Sequence, residues 1–204
     1  MPKRTFLKLP EAKRQRILDV AIDMVLTHPI QDITISHIVK HADIPRGSFY
    51  QYFNGIEDLL FYLYQQFIEA FEQHTIERLH EKKSDLFEFF KAGFAEDYHF
   101  FTTTKMHKVY QTLMEQRKFV GLDLETHERS RVAFFESMLE RLDTSKIAHV
   151  NPRQQKNLYM LYVQLKNSAL HRVISQKESY EQAFEDFMFY MTILERGIVN
   201  EKHL

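Results

Sequence analysis

The 204-residue sequence has no cysteine and no tryptophan, and only five glycines and five prolines. Without cysteine there is no disulfide, no thiolate metal site and no cysteine nucleophile, and the composition suits a reducing compartment. So few glycines and prolines leave too little punctuation for a fold of many short strands, which favours helices. No apolar run approaches the roughly 20 residues of a membrane span. The opening MPKRTFLKLPEAKRQR is charged and lacks the apolar stretch of a signal peptide. Hydrophobic residues make up 44% of the chain, enough for a globular core. These absences lead to the expectation of a soluble, cytoplasmic, helical protein.

Basic and acidic residues nearly balance, 27 against 28, for a net charge of −1. Their distribution is uneven. Residues 1–53 hold eight Lys/Arg and five Asp/Glu, a net +3, and the remainder carries net −4. Aromatics divide the other way: of 18 Phe and 10 Tyr, only Phe6, Phe49, Tyr50, Tyr52 and Phe53 fall in residues 1–53. A small basic head therefore precedes a larger, acidic, Phe-rich body, and a basic head suits phosphate contacts.

Helical spacing of Ile17, Leu18, Ala21 and Val25 predicts a first helix opened by Pro10 and ended near His28-Pro29. Thr34 is a good N-cap for a short helix, Ile35 to Ala42, which Asp43-Ile44-Pro45 breaks. A third helix spans about Arg46 to Phe53, and a long fourth runs from Ile56 to Lys82. Ser84 is the expected cap of a fifth helix, Asp85 to Phe101. Lys105–Val120, stopped by Gly121, and Asp123–Leu142 read as the sixth and seventh. Asn151-Pro152 opens an eighth, to about Ile174, and Ser179 with Gln182 forms a capping box for the last. This gives an all-α fold of about nine helices.

The two short helices around Asp43 have the proportions of a helix-turn-helix, whose second helix enters the major groove with its N-terminal residues leading. Here those residues are Arg46, Gly47 and Ser48, followed by the hydrogen-bond donors Tyr50, Gln51 and Tyr52. Phe49 and Phe53, four apart, would anchor the helix to its own domain. Spacing alone also fits a capped two-helix corner in a bundle.

The stretch Ile33–Phe53, followed by Glu57-Asp58-Leu59-Leu60, resembles the N-terminal domain of TetR-type transcriptional regulators. Thr34, Ile38, Ala42, Gly47, Phe49, Tyr50, Tyr52 and Phe53 match the family pattern position by position. Three residues depart from it: Asp43 stands for the usual glycine, Tyr52 for a frequent histidine, and Ile56 for a lysine that commonly contacts the DNA backbone. The resemblance implies a helix-turn-helix DNA-binding domain at 1–53, of three helices, joined to an effector-binding and dimerisation domain at 54–204. It implies that Thr34, Ser36, His37, Arg46, Gly47, Ser48, Tyr50, Gln51, Tyr52 and Asn54 face DNA. Thr34, Tyr50 and Tyr52 would take phosphates, and Arg46, Ser48 and Gln51 would read bases. Lys3 and Arg4 are expected either in a solvated tail or in the neighbouring minor groove.

In the body, Phe and Met at helical spacing first suggest packed core. The resemblance implies instead an effector cavity, with Phe90, Phe94, Tyr110, Met114, Phe134, Phe135, Met138 and Tyr162 as its expected lining. The final helix is apolar at nine of the twelve positions from Ala183 to Leu194, more than one core requires. Its Phe184, Phe187, Met191, Leu194 and Ile198 step by threes and fours, and Leu158, Leu161, Leu165 and Ala169 of the preceding helix offer a matching stripe. A four-helix interface between two copies is expected.

No enzyme and no cofactor are expected. His37 and His41 have a zinc-binding spacing, but Ile38 stands where a zinc hydrolase needs its glutamate, and no nucleophile elbow or phosphate-cradling glycine loop is visible. The function implied is a ligand-responsive repressor that binds a palindromic operator as a dimer and is released by a small, largely apolar effector. The alternatives are a DNA-binding protein of the same fold answering to a protein partner, and a helical adaptor without DNA binding.

Overall fold

The computed structural model describes residues 2–79, 84–115 and 124–198, the side chains of Met106, Met114 and 124–128 excepted. These residues form α1 (Arg4–Leu7), α2 (Glu11–Thr27), α3 (Ile35–His41), α4 (Arg46–Tyr52), α5 (Ile56–Glu77), α6 (Leu86–Thr103), α7 (Lys105–Glu115), α8 (Leu124–Leu139), α9 (Pro152–Gln176) and α10 (Tyr180–Ile198). The all-α expectation holds, with α1 as the helix not foreseen. The expected helix ends at Lys82, Val120, Gly121 and Asp123 lie outside the described residues. No described helix is long and apolar enough to cross a membrane.

The chain forms two compact units. The first is built from the described residues within Met1–Gln73 and Thr104–His127, and the second from those within His74–Thr103 and Glu128–Leu204. In the first, Ile17, Ala21, Ile38, Phe49, Phe53, Leu59 and Leu60 are fully buried together with Val109 and Leu113 of α7. The short helices are fixed by local chemistry. Thr34 Oγ accepts from His37 N–H at 3.3 Å, which caps α3. Asp43 takes the left-handed conformation, with φ 52°, and lets Ile44 N–H reach Val39 C=O at 3.1 Å.

The second unit packs α6, α9 and α10 around an aromatic core. Phe90 stacks on Tyr162 with centroids 4.0 Å apart, Phe135 on Tyr159 at 3.9 Å, and Phe94 on Phe187 at 5.0 Å. Gly93 makes the first stack possible, because a Cβ there would collide with the Tyr162 hydroxyl and crowd the Arg78 guanidinium. Asp85, not Ser84, caps α6: its Oδ1 accepts from Phe87 N–H at 2.9 Å and Glu88 N–H at 3.1 Å. Ser84 instead joins a short bridge through its carbonyl, which accepts from Asp143 N–H at 2.8 Å. Asn151 and Gln154 form a reciprocal capping box on α9, with Pro152 at the first helical position. On α10, Ser179 Oγ accepts from Gln182 N–H at 3.1 Å, the first half of the expected box.

One group of charges is enclosed in this core. Asp97 is fully buried, and its carboxylate meets Lys166 and Arg78, whose Nη1 lies at 2.9 Å. Arg78 also pairs with Glu96 at 2.8 Å and lies over the Phe89 ring at 4.5 Å. Burial is the largest single influence and would lower the Lys166 pKa, but the Asp97 carboxylate together with Tyr162 outweighs it and holds the ammonium above its usual value. Each partner is tolerable in the core because the other is present. Asp97→Asn should therefore cost about 3–5 kcal/mol of unfolding free energy by leaving buried cations uncompensated, which urea titration will measure.

In the first unit, burial, with a smaller contribution from Lys108, lowers the His107 pKa from 6.5 to about 4. Between those values the unfolded chain binds the proton and the folded chain resists it, so stability falls as pH drops below 6.5. The loss should reach about 3 kcal/mol by pH 4, at about 1.4 kcal/mol per pKa unit. His107→Gln should flatten that part of the stability–pH curve.

Candidate nucleic-acid interface

The helix-turn-helix presents one polar face. Thr34, Ser36 and His37 of the α3 start are exposed, as are Arg46, Gly47, Tyr50 and Gln51 of α4, with Ser48 half-buried. Phe49 is fully buried on the opposite side of α4, as is Phe53 just past its end, and both hold the helix to the core. Arg46 Nη1 donates to Ser36 Oγ at 2.7 Å, and its Nη2 lies 3.4 Å from the Tyr50 hydroxyl. The guanidinium also sits 5.9 Å from the Tyr50 ring centroid. Ser36 and Tyr50 thus hold the arginine across both helices, which lowers the entropy cost of a later bidentate contact.

Gly47 stands in the first turn of α4, where glycine is a poor helix former. A Cβ at this position would meet no atom within 4 Å. Packing therefore does not require glycine here, whereas a surface approached closely from outside would. His41 turns away from any partnership with the His37 ring, placing Nδ1 2.8 Å from the His37 carbonyl.

One expected contact is corrected. Tyr52 is only 5% exposed, and its ring lies 6.0 Å from that of Phe6 in the head's core. It is a core residue because α4 makes just two turns and its inner face needs Tyr52 beside Phe49. Asn54 is exposed, as expected of a residue near the DNA-facing side, and its backbone N–H and Nδ2 both donate to Asp58 Oδ2, at 3.0 and 2.7 Å. It closes the α4–α5 turn. Ile56, in place of the family's lysine, is half-buried against the same core.

Sequence reasoning missed the N-terminal segment. Lys3 and Arg4 belong to no solvated tail, because Phe6 is fully buried between Phe53, at 4.7 Å, and Tyr62, at 5.7 Å. The signal was Phe6 itself, a lone large apolar residue amid basic ones.

The residues expected to line an effector cavity are divided. Phe90, Phe94, Phe135, Met138 and Tyr162 are buried in the second unit, with Phe134 half-buried. Tyr110 lies in the first unit, stacked on Phe67 at 4.3 Å, and the Met114 side chain lies outside the described residues. The residues of the expected dimer seam differ in burial. Leu158, Ala169, Phe187 and Met191 are buried within their own unit, and Leu165, Phe184, Leu194 and Ile198 are half-buried against the same core. Helix α10 is apolar on two sides, so its second side carries the exposure: Phe189 at 63%, Tyr190 at 44% and Ile193 at 52%, with Leu161 of α9 at 40%.

This geometry is that of a helix-turn-helix within the first unit of an all-helical chain. Residues 17–63 match the model of the bacterial regulatory proteins of the tetR family. The HTH-type transcriptional regulator SrpR of Pseudomonas putida is 34% identical over 67 residues, covering 33% of this chain and 29% of that protein. The chain spans only 29–53% of the length of the curated relatives it matches. The fold match is wider. The crystal structure of a TetR-family regulator from Syntrophomonas wolfei covers 94% of this chain and 98% of its own, with a TM-score of 0.70 at 18% identity. The regulator FadR of Bacillus subtilis, in complex with stearoyl-CoA, covers 91% and 97% with a TM-score of 0.52 at 13% identity. Residues 17–63 are thus similar to the N-terminal part of the tetR family, and the chain as a whole shares the fold of these solved structures.

Gly47→Ala separates the demands of folding from those of binding. It should raise stability by about 0.5–1 kcal/mol, read as a higher Tm, while weakening duplex DNA binding in a fluorescence anisotropy titration.

Proposed function

We propose that the protein is a cytoplasmic, dimeric, ligand-responsive repressor of transcription, with residues 1–53 as its DNA-binding head and 54–204 serving effector binding and dimerisation. The observation that carries this reading is the Arg46–Ser36–Tyr50 cluster on the exposed face of a two-turn helix. Arg46, Ser48 and Gln51 read base edges in the major groove, and Thr34 and Tyr50 fix register on phosphates.

The second apolar side of α10 supports self-association, since Phe189 and Ile193 are more than half exposed. Beside it, a shallow groove of about 440 Å³ is lined by Val150, Leu158, Leu161, Leu194 and Ile198 together with His149, Gln154, Asn157 and Gly197. Two copies joined through α9 and α10 present two heads to a palindrome with half-sites about 34–36 Å apart. The effector is small and largely apolar. The Phe- and Tyr-rich body favours such a ligand, and the FadR complex of the same fold holds stearoyl-CoA. The effector releases DNA by binding more tightly to the conformation that fits the operator less well.

Selection from a randomised duplex pool should return a palindrome. Arg46→Ala should then lose about 1–3 kcal/mol of base discrimination at one position of each half-site. Phe189→Glu with Ile193→Glu should give a folded monomer by sedimentation that no longer holds the palindrome, whereas Phe187→Glu should unfold the chain. Selection of an unrelated or asymmetric set of sites, or a wild-type monomer at micromolar concentration, would overturn this reading.

A further inference from the structure

An α-helix leaves its last four carbonyls without helical partners. In α4 these belong to Phe49, Tyr50, Gln51 and Tyr52, and every one is satisfied. Phe53 N–H donates to Phe49 C=O at 2.9 Å. The other three partners come from the start of the chain. Lys3 Nζ donates to Tyr50 C=O at 2.8 Å, Thr5 Oγ donates to Gln51 C=O, and Lys3 N–H donates to Tyr52 C=O at 2.8 Å. The Lys3 ammonium also places positive charge at the negative end of the helix dipole. The Phe6 ring, fully buried against Phe53, locks the donors in place.

A seven-residue helix cannot hold itself in water. Its outer face must remain free for DNA, so support has to come from its inner face and its ends. We propose that residues 3–6 are the C-terminal cap of the recognition helix, supplied from about 47 residues away, and that Lys3 and Thr5 are positioning residues for base reading that touch no DNA. The cap fixes where α4 stops and therefore how Tyr50 and Gln51 are presented along the groove. This assignment separates Lys3 from the basic-arm role that its charge suggests: its ammonium is directed at a carbonyl of its own protein. The inference rests on the DNA-binding reading only for its consequence, because the cap itself exists without DNA.

The test uses the full chain with Lys3→Met, Thr5→Val and Lys3→Arg. Amide exchange at Tyr52 and Phe53, the last-turn donors, should run about two- to fivefold faster in Lys3→Met and Thr5→Val, the scale of one cap or charge at a helix end. It should return toward wild type in Lys3→Arg, which keeps a cationic donor. Affinity for the duplex that the wild-type chain selects from a random pool should fall by a similar factor. The slope of log affinity against log salt should stay unchanged, because no phosphate contact is lost. The opposite pattern overturns the proposal: unchanged exchange with a slope shallower by about 0.9 would make Lys3 a phosphate contact. Unchanged exchange with unchanged affinity overturns it as well. If the wild-type chain selects no duplex, the DNA-binding reading falls while the exchange measurements still decide the cap.

Discussion

The recognition helix is too short to be stable and too exposed to be buried. Seven residues give α4 two turns, one face must stay open, and Gly47 weakens it further. Much of the first unit answers this constraint. Phe49 and Phe53 fasten the buried side, the α3 cap and Asp43 set the angle of entry, Asp58 closes the exit through Asn54, and the chain's first residues satisfy the far end. Arg46 is tied to Ser36 in the neighbouring helix. The face that remains outward is then a rigid arrangement of donors, the form in which hydrogen bonds can discriminate between bases.

The second unit solves a different problem. Its interior is built from flat rings laid face to face, with a few charges enclosed among them. Stacked pairs such as Phe90–Tyr162 and Phe135–Tyr159 bury large flat surfaces in a defined face-to-face geometry. The Asp97–Lys166–Arg78 group adds a second geometric constraint, because its ion pairs admit little displacement before a buried charge is stranded.

The legibility of the sequence varied with how local the determining physics is. Thr34, Asp43, Asn151 with Pro152, and Ser179 act on neighbours within a few residues, and each end they mark was readable. The helix-turn-helix was readable for the same reason. Ser84 was mistaken for a cap because Asp85 is an equally good one, and only the bridge to Asp143 decides between them. Helix α10 carries two apolar sides, and periodicity does not say which of them faces its own unit. Tyr52 and the N-terminal segment depend on each other across almost 50 positions, a distance at which no sequence pattern operates. The engagement of Asn54 by Asp58 is visible only in three dimensions.

The return of the first residues to the end of α4 also has a consequence for the order of folding. The pair Lys3–Tyr50 closes a loop of about 47 residues, a contact whose entropic cost falls due only after the intervening helices have organised. The helices inside the loop meet through shorter separations and can assemble first. The helix proposed to read DNA is thus completed late in the head's folding and is expected among the first segments to open under mild stress. Sub-global opening of this kind would leave most of the head intact while the recognition helix frays.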